Sequence, residues 1–95
     1  MAKIRRVVLD VLKPHQPNIV PFTEQLTDQE AVTGVTSKLV EIEEKVRTIR
    51  VTIEGEDLDM DAIEERINDL GGSIHSVDEV SCGQEVVDDP WLANG

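Results

Sequence analysis

Aromatic residues and cysteine are nearly absent from this chain of 95 residues. Phe22 and Trp91 are its two aromatic residues, so branched aliphatic side chains have to form nearly all of the core. The single cysteine, Cys82, has no partner for an internal disulfide, and it excludes paired-cysteine metal and redox motifs. Because a chain this short buries only about 60 to 65 % of its unfolded surface, we expect a homo-oligomer that supplements a small core.

Basic residues are also scarce, with nine lysines and arginines against 20 acidic residues and a formal net charge of −11. A charge of this sign and size repels nucleic acid phosphates and anionic lipid surfaces. We therefore expect neither nucleic acid nor membrane as a partner. Salt screens such a charge, so the composition predicts a salt-adapted, halophilic protein.

Long apolar runs are missing as well. No segment approaches the ~20 apolar residues that a membrane span needs. The first twelve residues are too short and too charged for a signal peptide. These absences predict a soluble, cytoplasmic protein.

Alternating apolar and polar residues are present in four segments, and they predict strands at residues 4–12, 35–43, 46–54 and 73–82. In the first of them Val7, Leu9 and Val11 should share the covered face of a sheet. The second segment alternates less regularly, so we expect an edge strand or a bulge there. Gly34 is predicted to form the turn that precedes it.

Two helices are predicted from apolar residues at helical spacing. The first follows a possible N-cap at Asn18, has a stripe of Ile19, Phe22 and Leu26, and should end between residues 28 and 31. The second follows an N-cap at Asp57 or Asp59 and should end at Gly71-Gly72. Its stripe consists of Met60, Ile63, Ile67 and Leu70.

The order strand, helix, strand, strand, helix, strand predicts an α+β ferredoxin-like fold, β-α-β-β-α-β, with two helices on one face of a four-stranded antiparallel sheet. Residues 1–83 should form this single domain. Residues 84–95 should form an acidic C-terminal tail in which Trp91 and Leu92 are the residues able to dock.

Three segments resemble a known family: residues 9–15 (LDVLKPH), residues 52–55 (TIEG) and residues 71–80 (GGSIHSVDEV). They look like the archaeal domain of unknown function 211 family, and the resemblance covers nearly the whole chain up to about Val87. It implies a ferredoxin-like fold, an archaeal source and homo-oligomers. It implies no established activity, so no catalytic residue is transferred to this sequence.

Asp57, Asp59 and Asp61 belong to the densest acidic cluster, and closely spaced carboxylates are ligands for calcium or magnesium. The rest of an EF-hand pattern is missing, because Ala62 stands at the glycine position and Asn68 at the glutamate position. The alternative is that these acids cap the second helix and complement its dipole. A metal site here stays the less favoured hypothesis.

Two histidines are candidate ligands or proton carriers. His15 lies between two prolines, where a hydrogen-bonded loop anchor is the simpler interpretation. His75 lies close to Asp78 and Glu79, which favours an ion pair over catalysis. Both histidines, with Asp78, are kept as candidate ligand-binding or interface residues.

The sheet face that the helices leave open is the second candidate region. If Val7, Leu9 and Val11 face the helices, Val8, Asp10 and Leu12 must emerge on the opposite face. Arg50 should share that face from the third strand and pair with charges of another subunit. We therefore predict a homo-oligomer joined through this face and an edge strand.

No catalytic motif is present, so the sequence favours a non-catalytic oligomeric binding module. Its small-molecule ligand is unknown, and a divalent cation is an alternative ligand for the subunit boundary or the acidic loop. A second hypothesis is an assembly protein without a ligand. A third is an enzyme whose site is built between subunits, for example from His75 and Asp78 with Asp10 or His15 of a neighbour.

Overall fold

The structure is a computed structural model that describes residues 2–87. It contains the elements in the predicted order, which are β1 (Ile4–Lys13), α1 (Ile19–Leu26), β2 (Val32–Ile42), β3 (Arg47–Gly55), α2 (Met60–Asp69) and β4 (Ser73–Cys82). The predicted docking of Trp91 and Leu92 lies outside the described residues. Within residues 2–87 no helix is long and apolar enough to cross a membrane.

The four strands form one antiparallel sheet in the order β2-β3-β1-β4. Strands β1 and β3 are central, and β2 and β4 are the two edges. The irregular β2 is an edge strand, and its pairing with β3 shifts register twice, between Val32 and Gly34 and between Leu39 and Glu41. The α+β ferredoxin-like architecture is confirmed.

Some element boundaries differ from the predicted ones. Helix α1 ends at Leu26 with Thr27 as its C-cap, earlier than expected. The backbone N–H of Val32 donates to the Gln29 carbonyl, which closes a short turn, and β2 begins there. Gly34 therefore lies inside β2 and not in the preceding turn. The stop of α2 was predicted correctly, since Gly71 adopts a φ of 86° that favours glycine.

The core lies between the helices and one face of the sheet. Val7, Leu9 and Val11 of β1 are completely buried. Antiparallel pairing places them directly opposite residues of β3 on the same face, namely Ile53, Val51 and Ile49. The helices cover this face with buried side chains of Phe22, Leu26, Ile63 and Ile67.

Strand β4 keeps its apolar residues on the helix side despite a spacing of three. Ile74, Val77 and Val80 pair with Val11, Leu9 and Val7, respectively. The pairing skips His75 and Asp78, so each of these is an extra residue in a bulge. The two bulges allow apolar residues that are three positions apart in β4 to face the same side of the sheet, although side chains of a regular strand return to one side every second residue. His75 and Asp78 therefore lie at the irregular points of this edge strand.

The close packing of Gly55 predicts a position where alanine is not tolerated. A Cβ at Gly55 would overlap the carbonyl oxygen of Ala31 and lie 2.6 Å from Cδ2 of Leu58. We expect Gly55→Ala to lower the free energy of unfolding by about 1 to 3 kcal/mol through overpacking. Gly34 has open space around its Cα and no positive φ, so Gly34→Ala should raise the free energy of unfolding by up to about 1 kcal/mol, because alanine has less freedom to lose on folding. Urea unfolding of both variants checks this, and equal stabilities would contradict the packing at Gly55.

Candidate functional site

Charged side chains on the open face of the sheet pair within the chain. Arg6 approaches Glu54 (Nη2 to Oε2, 2.8 Å) and Glu79 (Nη1 to Oε2, 3.5 Å). Arg50 donates from Nε to Oδ1 of Asp10 at 3.1 Å, and its Nη2 lies 3.8 Å from Oδ2 of Asp78. Arg6 on β1 therefore joins carboxylates of its two neighbouring strands, β3 and β4, whereas Arg50 on β3 joins a carboxylate of β1 and one of β4, the strand beyond it.

These ion pairs change the role expected for Arg50, Asp10 and Asp78. The three residues do meet on the open face, but they satisfy one another within a single chain. Pairs this exposed each contribute at most about 1 kcal/mol to stability. Arg50 thus has two carboxylate partners within one chain, and its pairing with charges of another subunit stays a prediction.

The two apolar residues of this face are only partly accessible. Val8 lies opposite Thr52 on one side and Glu79 on the other, and Leu12 lies opposite Thr48 and Ser73. Both side chains are of intermediate exposure. The open face is consequently a polar surface with two half-shielded aliphatic residues.

The two histidines lie apart from any charged partner in the described part of the chain. Both are exposed. Asp78 forms an ion pair with Arg50 and accepts a hydrogen bond from the Ser76 hydroxyl. Glu79 forms an ion pair with Arg6. The predicted ion pair of His75 is therefore wrong, and within residues 2–87 His15 makes no side-chain hydrogen bond that would anchor its loop.

The acidic cluster before α2 acts as a helix cap. Oδ1 of Asp59 accepts a hydrogen bond from the Ala62 N–H at 3.2 Å, and Asp61 lies in the first turn. Among residues 2–87 no three acidic, histidine or cysteine side chains are grouped to hold a metal ion. Asp57, Asp59 and Asp61 are thus not grouped as calcium or magnesium ligands in the described chain, and Asp59 has the alternative role of N-cap.

Exposed apolar side chains concentrate on the two edge strands. Of seven large apolar residues that are exposed within the described chain, three lie on β2 and two on β4: Leu39, Val40, Ile42, Val77 and Val80. Among residues 2–87, each of these strands is paired on one side only. Both edges thus combine unpaired backbone groups with apolar side chains, which is typical of strands that pair with another chain.

Lys13 is a buried cation that the sequence interpretation missed. Its exposure is 2 %, and its Nζ donates to the Pro14 carbonyl at 2.7 Å and lies 5.7 Å from the centroid of the Phe22 ring. Within residues 2–87 no carboxylate pairs with it. Burial lowers the pKa of the Lys13 amine, and the neighbouring Arg47 guanidinium lowers it further.

A signal for Lys13 was present in the sequence. The alternation of Val7, Leu9 and Val11 reaches position 13 after one more step, but the predicted strand stopped at residue 12. In the structure β1 continues to Lys13, which pairs with Arg47 of β3. The inward side of the strand therefore ends in a lysine.

The comparisons with known proteins identify the family. Residues 5–94 match the family described as uncharacterised ArCR, whose model is that of domain of unknown function 211. An uncharacterised protein of Methanocaldococcus jannaschii is 45 % identical over 89 residues, which cover 94 % of this chain and 92 % of that relative. The resemblance inferred from the sequence is thereby confirmed. The family model and the relative agree, and the chain belongs to the archaeal domain of unknown function 211 family.

Proposed function

We propose that this protein is a non-catalytic homo-oligomeric binding module whose copies join through the edge strands β2 and β4. The observation that carries the proposal is the concentration of exposed apolar side chains on these two strands. Eleven buried apolar residues form the core of the described chain, so further burial between copies would add appreciably to stability.

The two edges favour a head-to-tail arrangement of copies. Strand β2 presents Leu39, Val40 and Ile42, whereas β4 presents Val77 and Val80. Because the edges differ, β2 of one copy against β4 of the next is a heterologous contact, which gives a ring if the rotation closes. The occupant of each edge is then a second copy of this chain.

Single charges on the edges should separate the copies. We expect the wild type to be an oligomer in molar potassium chloride, and Leu39→Glu and Val77→Glu to be folded monomers, because these positions lie opposite the apolar residues Ile49 and Leu9 and a carboxylate at the contact is desolvated without a partner. Light scattering measures the mass and circular dichroism the fold. Val87→Glu is the matched control, since Val87 is apolar and 82 % exposed but lies outside the strands.

The same measurement separates the edges from the open face. Val8→Glu and Leu12→Glu place the charge on the open face, and dissociation by these variants instead of the edge variants would move the contact there. A wild type that is monomeric at micromolar concentration in molar salt would refute assembly altogether.

A further inference from the structure

A pocket at the end of β1 gathers basic residues in an otherwise acidic protein. Its volume is about 300 Å³, and its walls include Leu12, Pro14 and Val46 beside Lys13, Lys45 and Ser73. Small-molecule sites have this character, with apolar walls and a few placed polar groups. The basic residues here contrast with the net charge of −11.

Arg47 adds a second unsatisfied cation at this end of the sheet. Arg47 of β3 lies directly opposite Lys13 of β1 in the sheet. Its Nε atom is buried without a hydrogen-bond partner in the described chain. Glu43 and Glu44 of the neighbouring turn are exposed, and within residues 2–87 neither forms an ion pair with Lys13, Lys45 or Arg47. Two neighbouring cations thus lack a counter-charge from the part of the chain that the structure describes.

Burying a charge without a carboxylate is destabilising. The Pro14 carbonyl and the Phe22 ring are neutral partners and satisfy the lysine only in part. An anion in the pocket would supply the missing charge, accept hydrogen bonds from the lysines that line it, Lys13 and Lys45, and lie close to the charge of Arg47. The buried positive charge is unfavourable in the empty pocket and would be stabilised by a bound anion. This difference in free energy is characteristic of a binding site.

We infer that the pocket lined by Lys13 and Lys45, beside Arg47, binds a small organic anion through a carboxylate or phosphate group. The apolar walls would contact the rest of the molecule. This inference rests on the binding role proposed above and gives that role a ligand class, but the site is built from one chain and does not require the edge contacts.

Titration calorimetry with benzoate and with inorganic phosphate tests the site, at an ionic strength held constant with potassium chloride. The two probes distinguish carboxylate from phosphate. We expect the wild type to bind at least one probe with a Kd below about 1 mM. Lys13→Met should weaken that binding at least about tenfold, because a charge-assisted hydrogen bond is lost. Lys3→Met, at an exposed lysine outside this pocket, should bind like the wild type.

The calorimetry overturns the inference if the wild type binds neither probe, or if Lys13→Met binds the probe as tightly as the wild type does. If Lys13→Met does not fold, Lys45→Gln takes its place with the same expected direction. Light scattering of Lys13→Met provides a separate readout. Dissociation of an oligomer by this variant would assign the anion to a carboxylate of a second copy and overturn the small-molecule site. If Lys13→Met loses probe binding but still assembles, the pocket is supported. If the wild type binds the probe but is monomeric, the proposed assembly fails and the anion site is still supported.

Discussion

Leu9→Glu is expected to abolish folding. Leu9 is completely buried in the central strand β1, opposite Val51 and Val77. Truncating a buried leucine costs about 2 to 5 kcal/mol, and desolvating an unpaired carboxylate adds several more. The sum, roughly 5 to 10 kcal/mol, is comparable with the roughly 5 to 15 kcal/mol by which small domains are stable. Far-ultraviolet circular dichroism and a urea titration should show an unfolded chain in dilute buffer.

Val8→Glu is the matched control for this prediction. The residue is adjacent in the same strand, but its side chain lies on the open face, where Thr52 and Glu79 are its cross-strand neighbours. We expect it to fold, with a loss of no more than about 1 to 2 kcal/mol from charge repulsion with Glu79. A folded Leu9→Glu variant, or two variants of equal stability, would contradict the assignment of the two faces.

Raising potassium chloride from about 10 mM to 1 M should raise the melting temperature by well over 10 °C. At these salt concentrations the Debye length falls from about 30 Å to about 3 Å. The net charge of −11 repels itself more strongly in the folded domain than in an expanded chain of about 30 Å radius. Coulomb's law in water gives roughly 5 kcal/mol for the difference, and about 1 kcal/mol shifts the melting temperature of such a domain by some 4 to 8 °C.

Two controls test whether the change in melting temperature with salt is caused by charge screening. Sodium chloride should act like potassium chloride, because screening depends on ionic strength and not on the cation. Repeating the melt at two protein concentrations separates screening from assembly, since oligomers make the melting temperature depend on concentration. A melting temperature that is independent of salt would show that the acidic surface is neutralised in another way.

Local patterns in the sequence were sufficient for the elements and their order. The alternation in β1 and β3 and the stripes of α1 and α2 state which face of each element is buried, because a period of 2 or 3.6 is a property of neighbouring residues. The caps at Asn18 and Asp59 were predictable for the same reason, since each side chain bonds to a backbone N–H only two or three residues away. The irregular pattern of β2 correctly indicated an edge strand.

The register between distant strands was decided by the tertiary structure. The bulges at His75 and Asp78 exist because β4 must match its apolar residues to β1, about 70 residues away. That match brings Asp78 to Arg50 and leaves His75 without an acidic partner in the described chain. A prediction from neighbours in sequence paired His75 with Asp78, since it had no information on the competing arginine.

The burial of Lys13 also depends partly on the sequence and partly on the tertiary structure. The sequence determined that β1 has an apolar side, that the chain carries few cations and that its net charge is strongly negative. Only the packing of the Pro14 loop, Phe22 and β3 around position 13 decided that this apolar side ends in a lysine that pairs with no carboxylate of residues 2–87. Burial depends on which segments meet in space, and that is settled by the whole fold because the contacts join residues far apart in the chain.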